Sequence, residues 1–189
     1  MNEPGSNDEG FALFDTPVGA CGIAWSAQAL VGVQLPEGDE QATRERMQRR
    51  FPCLHEAPPN ALAQDAITRM QAVLAGAPDD MQSIALDMRG VPEFNQRVYA
   101  LARAIPPGQT RTYGELAVAL GDKTLARAVG QALGHNPFAP VVPCHRILAA
   151  GNKPGGFSAG GGAMTKLKML HLEGAQPNRM NSLFDAPWG

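Results

Sequence analysis

The sequence predicts an α+β fold, with a small antiparallel sheet and helices in the N-terminal half and a mostly helical C-terminal half. Short apolar runs separated by turn residues occupy the first 35 residues, a pattern typical of strands. Later segments space their apolar residues three and four apart, as amphipathic helices do. We divide the chain into a supporting domain at residues 1–88, a second domain at residues 89–176 and a flexible polar tail at residues 177–189.

The supporting domain is predicted to contain three strands, at residues 11–14, 21–25 and 30–35. Thr16 and Pro17 supply the turn between the first two strands. Two helices follow, a polar one at residues 39–50 and one at residues 61–75 whose apolar residues share a face. The short apolar run at residues 84–86 is expected to add a strand.

The second domain begins with a predicted helix at residues 92–104. Thr112 and Glu115 then form a capping box, in which each side chain accepts from the other residue's backbone amide. The helix that they start is expected to end at Gly121, and Thr124 is expected to cap the next helix. Two short helices joined by such a turn indicate a helix-turn-helix.

The second helix of this pair carries Arg127 and Gln131 opposite its apolar stripe, where a DNA-reading helix presents its contacts. An ordinary solvated face would look the same. Small residues along this helix, Gly130 among them, make it thin, so that it can approach a backbone or enter a narrow groove.

The net charge of the chain changes sign at the same boundary, residue 88. The net charge of −2, taken alone, argues against a nucleic-acid partner. However, residues 1–88 hold five basic and thirteen acidic residues, whereas residues 89–189 hold eleven basic and five acidic ones. A basic second half is typical of a module that binds DNA or RNA. Two domains with complementary surfaces are the alternative.

Composition excludes several classes of protein. Hydrophobic residues make up 44% of the chain, too many for a disordered protein, and no run is long enough for a membrane helix. The polar N-terminus is unlike a secretory signal peptide. Three cysteines make no disulfide framework, so we expect a cytoplasmic setting and at least one free thiol.

The segment at residues 141–148 brings a thiol, an imidazole and a guanidinium together. Cys144 beside His145 fits an activated nucleophile, because a basic or cationic neighbour promotes the thiolate. Neighbouring side chains on extended backbone point to opposite faces, so contact requires a turn or a bridging water. Pro143 favours irregular backbone here. On these residues alone, a buried structural cysteine is an equal alternative.

The tetrapeptide PCHR at residues 143–146 resembles the active-site signature of the O6-alkylguanine-DNA alkyltransferases, or methylated-DNA–protein-cysteine methyltransferases. Further segments resemble other elements of that family in the same order. They are IPPGQTRTYGELA at 105–117, ARAVG at 126–130, NP at 136–137, GFSAG at 156–160 and LHLEG at 170–174. The N-terminal domain is similar to the family only in its general layout.

The resemblance implies a reaction and its residues. Cys144 would take an alkyl group from O6 of guanine and keep it, so that each molecule acts once and needs no cofactor. His145 would remove the thiol proton through a water, and Glu173 would orient His145. Arg146 would anchor the loop, and Asn136 would shape the turn before the cysteine.

The resemblance also implies how the base is reached. Tyr113 would donate a hydrogen bond to guanine N3, and Arg127 would fill the space left by a base flipped out through the minor groove. Gly130 would lie on the same DNA-binding helix. The alkylguanine pocket would be formed by Tyr113, Pro143, Arg146, Ile147, Phe157 and Ser158.

By the same resemblance, the first domain would be ribonuclease H-like and the second a winged helix-turn-helix. The partner would be double-stranded DNA containing O6-alkylguanine, and alkylated O4 of thymine would be a further substrate. The protein would act as a monomer at the nucleoid. The chain departs from the family pattern at Phe157, where many members have a tyrosine, and at residues 160–162, where extra glycines lengthen the loop.

Two other functions stay open. A catalytically silent relative would bind lesions and flag them for other repair, but such relatives replace the cysteine. A helix-turn-helix regulator, or a Cys–His hydrolase, would leave Tyr113, Arg127 and Asn136 unexplained.

Two weaker patterns concern ligands. Cys21, Cys53 and His55 match no standard zinc spacing, so we expect no metal. In the tail, the tripeptide Ser182-Leu183-Phe184 resembles the short peptide that docks on bacterial sliding clamps. The same Leu-Phe pair recurs inside a predicted strand, which shows how common such a match is.

Overall fold

The computed structural model describes residues 7–155 and 162–175 and confirms an α+β fold. An antiparallel sheet of three strands, in the order β1-β2-β3, forms the N-terminal half. The strands are β1 (Gly10–Thr16), β2 (Gly19–Trp25) and β3 (Leu30–Gln34). Each of them coincides with one of the predicted runs to within a few residues.

Helices α1 (Glu40–Arg50) and α2 (Ala61–Leu74) cover the two faces of this sheet. Strand β1 sends Ala12 and Phe14 into the cluster that contains α2, and Phe11 into the cluster that contains α1. Successive strand residues point to opposite faces. A sheet that is buried on both sides therefore needs continuous apolar runs, such as those in the sequence.

The predicted strand at residues 84–86 is wrong. A single residue pair bridges there, Leu30 with Leu86. Two backbone hydrogen bonds form this bridge, from the Leu30 amide to the Ala85 carbonyl at 2.9 Å and from the Asp87 amide to the Leu30 carbonyl at 2.8 Å. Arg103 Nη2 donates to three backbone carbonyls at residues 81–84. They belong to Met81, Gln82 and Ile84, at 2.9, 2.9 and 3.0 Å. Of the three, only the Ile84 carbonyl lies in the predicted strand, and there the Arg103 side chain takes the place of a partner strand.

The described residues of the C-terminal half contain four α-helices: α3 (Glu93–Arg103), α4 (Tyr113–Ala119), α5 (Ala126–Gly134) and α6 (Gly162–Leu172). The capping box is confirmed, because Thr112 Oγ1 accepts from the Glu115 amide at 3.1 Å and Glu115 Oε2 accepts from the Thr112 amide at 2.6 Å. The predicted cap at Thr124 is wrong. The Asp122 carboxylate accepts from the Thr124 amide at 2.8 Å and starts a 3₁₀ turn at Lys123–Leu125, which lengthens the connection between α4 and α5.

A short parallel pair of strands ties the cysteine segment to α4. Strand β4 (Arg111–Thr112) pairs with β5 (Ile147–Leu148), which follows the cysteine turn directly. Tyr113 is the first residue of α4. The pairing therefore places Tyr113 and Cys144 beside the same two strands.

One cluster of buried side chains runs through both halves of the chain. Trp25 of the sheet, Ile67 of α2, Val129 of α5 and Cys144 all belong to it. The boundary at residue 88 stays a prediction, and the two sides of it share this core. Within the described residues, no helix has the length and apolarity needed to cross a membrane.

Candidate active site

Cys144 lies in a tight turn. The span Cys144–Arg146 is a 3₁₀ turn, and the Arg146 amide donates to the Pro143 carbonyl at 2.9 Å. The irregular backbone predicted after Pro143 is therefore confirmed. Because the backbone turns, the imidazole and the guanidinium reach the end of α6, whereas the thiol faces the core. All three side chains are buried.

Glu173, one residue beyond α6, contacts the side chains of both His145 and Arg146. Its Oε1 lies 2.8 Å from His145 Nε2 and accepts from Arg146 Nη2 at 2.7 Å. Arg146 also donates to the Ile105 carbonyl at 2.8 Å. Burial acts to raise the pKa of Glu173, but the hydrogen bonds from His145 and Arg146 outweigh it and lower that pKa to about 2. Glu173 is therefore ionised at neutral pH.

The contact with Glu173 fixes the tautomer of His145. An ionised carboxylate can only accept, so the proton between the two groups belongs to His145 Nε2. Nδ1 then holds a lone pair, and it has no hydrogen-bond partner among the described residues. Burial lowers the pKa of His145, so the ring is neutral at pH 7. It can therefore take up a proton at Nδ1, as a general base does.

The surroundings of the Cys144 thiol act on its ionisation in both directions. Burial raises its pKa, and a hydrogen bond from Asn136 and the positive charge of Lys166 offset part of that rise. Asn136 is fixed within its own loop, where Nδ2 donates to the Val142 carbonyl at 2.8 Å and Oδ1 accepts from the Phe138 amide at 2.9 Å. These two contacts fix Asn136 within the loop that leads to the cysteine turn.

Lys166 is a site residue that sequence reasoning missed. Its side chain is fully buried, and Nζ donates to the Ile147 carbonyl at 2.5 Å and lies 5.7 Å from the centre of the Tyr113 ring. Burial lowers its pKa to about 8. The signal was in the spacing, because Lys166 shares the buried face of α6 with Met169 and Leu170. A buried lysine is rare unless it is paired.

Tyr113 lies between α5, α6 and the segment that ends at residue 155. A Cβ atom on Gly130 of α5 would be 3.9 Å from the Tyr113 ring. A Cβ atom on Gly155 would be only 3.0 Å from the Tyr113 hydroxyl, and Gly155 has a φ of +66°, which favours glycine. Burial, and then the nearby Cys144, raise the pKa of Tyr113. Its hydroxyl therefore keeps its proton and can donate.

The remaining predicted residues lie in different surroundings. Arg127 and Gln131 are exposed on α5, whereas Val129 of the same helix is buried, as the spacing predicts. Pro143 and Ile147 flank the cysteine turn and are buried. Outside the described residues lie Phe157, Ser158 and the tripeptide Ser182-Leu183-Phe184.

The other two cysteines differ from Cys144. Cys21 is buried, and burial raises its pKa to about 12, so it stays an unreactive thiol. Cys53 is exposed. In residues 7–155 and 162–175, no group of three or more His, Cys, Asp or Glu side chains could hold a metal ion.

Comparisons with known proteins point to one family. The family model described as "6-O-methylguanine DNA methyltransferase, DNA binding domain" matches residues 93–175. The methylated-DNA–protein-cysteine methyltransferase of Mycobacterium tuberculosis is 34% identical over 175 residues, which cover 93% of this chain and 98% of that protein. The chain belongs to the methylated-DNA–protein-cysteine methyltransferase family.

Solved structures of methylated-DNA–protein-cysteine methyltransferases have the same fold. The M. tuberculosis protein OGT in complex with DNA matches with a TM-score of 0.69 at 34% identity, over 86% of this chain and 91% of that one. The O6-methylguanine-DNA methyltransferase of Pyrococcus kodakaraensis matches with a TM-score of 0.71 at 26% identity, over 87% and 99%. The family resemblance is therefore confirmed, and the likeness extends through the N-terminal half.

Proposed function

We propose that this member of the family repairs alkylated DNA directly, by moving an alkyl group from O6 of guanine to Cys144. One observation carries the proposal. The buried thiol lies in a turn with His145, whose Nε2 bonds to Glu173 at 2.8 Å and whose Nδ1 has no partner among the described residues. A base that is held by a third group beside a thiol is the arrangement of nucleophilic catalysis.

The reaction balances with the lesion as its only other reactant. His145 Nδ1 takes the Cys144 proton through a water, and Glu173 stabilises the resulting imidazolium. The sulfur forms a bond to the alkyl carbon while the bond from that carbon to O6 breaks, and the electron pair stays on the base. The proton on His145 passes to the base, which is restored as guanine within the DNA strand. Cys144 is left as a stable thioether, so each molecule acts once.

Access to O6 requires the base to leave the duplex. Arg127, exposed on α5, fills the space that the base leaves, and Gly130 lets this helix approach the DNA. Tyr113 donates to the flipped base, and Lys166 and Asn136 stabilise the thiolate. The pocket is completed by Pro143, Arg146, Ile147, Phe157 and Ser158. The basic charge of the C-terminal half gives salt-dependent affinity for the phosphate backbone.

The finer architecture and partners follow the family resemblance. Residues 1–88 form a ribonuclease H-like supporting domain, and residues 89–176 form a winged helix-turn-helix built on α4 and α5. The protein acts at the nucleoid as a monomer on double-stranded DNA and also accepts alkylated O4 of thymine. The tail at residues 177–189 docks on the sliding clamp through Ser182-Leu183-Phe184. Full pull-down of the clamp by a protein without the tail would refute that last assignment.

A duplex containing one O6-methylguanine tests the proposed function. The lesion that remains after incubation is measured by chromatography of the digested DNA. We expect the wild type to remove it, and Cys144→Ser to bind the same duplex without removing it. Tight binding by a wild type that leaves the lesion intact would support a protein that only flags damage. Equal binding to undamaged duplex, with no removal, would support a helix-turn-helix regulator.

A further inference from the structure

The carbonyl of Pro137, in the loop that leads to Cys144 (residues 136–143), accepts two hydrogen bonds from the N-terminal half of the chain. The Val33 amide of β3 donates at 2.8 Å, and Arg50 Nη2 at the end of α1 donates at 3.3 Å. A part of the chain that supplies no reacting group thus contacts the loop that carries the thiol.

Contacts within the N-terminal half fix the position of the Arg50 side chain. Its Nη1 donates to the Val33 carbonyl and to Gln34 Oε1, each at 2.8 Å. Its guanidinium lies 4.9 Å from the centre of the Phe51 ring. Burial lowers the pKa of Arg50, but a guanidinium stays charged in proteins. Because the guanidinium is planar, fixing its Nη1 also fixes the direction in which Nη2 points toward Pro137.

Asn136 connects Pro137 to the thiol. The two residues are adjacent, so a shift of the Pro137 peptide moves Asn136 with it. The Asn136 amide has two N–H groups. One of them donates to the Val142 carbonyl at 2.8 Å, and the Cys144 amide donates to that same carbonyl at 2.8 Å. Asn136 and the backbone of Cys144 are therefore joined through one carbonyl, and the Asn136 side chain also acts to lower the pKa of the thiol.

We propose that Arg50 is a positioning residue for the alkyl transfer: by holding Pro137, it keeps Asn136 on the Val142 carbonyl that also binds the Cys144 amide, so that the N-terminal half sets the reactivity of the cysteine. The inference rests on the proposed function for its role in repair, whereas the effect on the thiol needs no DNA. The other titratable groups around the thiol come from the C-terminal half. They are Tyr99, Tyr113, His145 and Lys166.

The rate at which Cys144 reacts with iodoacetamide, read by peptide mass mapping at a series of pH values, tests this role. Arg50→Met should move the Cys144 titration to higher pH and lower the rate at neutral pH by about tenfold, the effect of one pKa unit. Arg50→Lys keeps a charge but not the fork, so it should fall between Arg50→Met and the wild type. Transfer from free O6-benzylguanine should slow by the same factors.

Arg103→Met is the matched control. Arg103 also joins the two halves, through its hydrogen bonds to the carbonyls of Met81, Gln82 and Ile84, and none of these is in the loop at residues 136–143. This variant should lose stability and keep the wild-type titration of Cys144. All proteins are compared under conditions in which a denaturation curve shows them fully folded. If Arg50→Met does not fold, Arg50→Lys is compared with the wild type and with Arg103→Met.

An unchanged Cys144 titration in a folded Arg50 variant, or an equal shift in Arg103→Met, would overturn the positioning role. Failure of the proposed function would look different. In that case the wild type would transfer no alkyl group from any lesion, while the iodoacetamide titration would still shift in the Arg50 variants.

Discussion

Replacing Glu173 by glutamine perturbs the buried ionic cluster beside Cys144. The pKa of this carboxyl falls from an ordinary 4.5 to about 2 in the folded protein, and each unit corresponds to about 1.4 kcal/mol. The ionised group therefore contributes about 3 kcal/mol to the free energy of unfolding at neutral pH. Arg146, fully buried, would also lose its charged partner. We expect Glu173→Gln to lower the free energy of unfolding at pH 7 by at least about 3 kcal/mol.

The dependence on pH makes this expectation sharper. Because the folded pKa of Glu173 lies below the unfolded one, its contribution is full above about pH 4.5 and is lost as the pH falls towards about 2. At about pH 3.5 the wild type should have lost about 1.4 kcal/mol from this group, and Glu173→Gln should show no such loss. Urea unfolding followed by circular dichroism at the two pH values measures both differences.

Glu45→Gln is the matched control. Glu45 pairs with Arg49 at 4.0 Å on the exposed face of α1, and exposed pairs contribute little to stability. Alkyl transfer should slow by about 100-fold in Glu173→Gln and stay unchanged in Glu45→Gln. A Glu173→Gln protein that unfolds within about 1 kcal/mol of the wild type at pH 7 would refute this reasoning. The same holds if both proteins lose equal stability on acidification.

Three further substitutions test other parts of the site. Lys166→Met should slow alkyl transfer by about tenfold. Between about pH 8 and 10.5, where the folded lysine is already neutral and the unfolded one still charged, the wild type should gain stability relative to Lys166→Met. Gly155→Ala should displace Tyr113 and slow repair, whereas Gly121→Ala, also at positive φ but with nothing within 4 Å, should cost stability alone. Arg127→Ala should slow repair of duplex DNA far more than reaction with free O6-benzylguanine, and equal slowing would remove its role in base flipping.

Local patterns predicted the strands and most helix bounds because they act within a few residues. The capping box that begins at Thr112 depends on one turn of backbone, and the structure has it. The cap at Thr124 failed because Asp122, two residues earlier, competes for the same role and its carboxylate binds the Thr124 amide. The strand at residues 84–86 failed because its pairing with β3 is a single bridge and the Ile84 carbonyl binds Arg103, which is distant in sequence.

Motifs predicted which residues to expect at the candidate site, but they did not predict how these residues are arranged. Cys144 and Glu173 are far apart in the sequence, and only the packed fold shows that one carboxylate binds both His145 and Arg146. Lys166 reaches the site through the packing of α6. The spacing of residues in α6 predicts its buried face but not the groups that this face contacts. Contacts of this kind depend on tertiary structure, so periodicity and charge do not contain them.

The most direct test of the central claim follows the methyl group itself. The protein is mixed with an excess of duplex containing O6-methylguanine, and its intact mass and peptide masses are then measured. We predict a gain of one methyl group per molecule, on the peptide that contains Cys144, with no further repair once every molecule is modified. A methyl group on Cys21 or Cys53, or removal of several lesions by each molecule, would contradict the claim that Cys144 is the single-use acceptor.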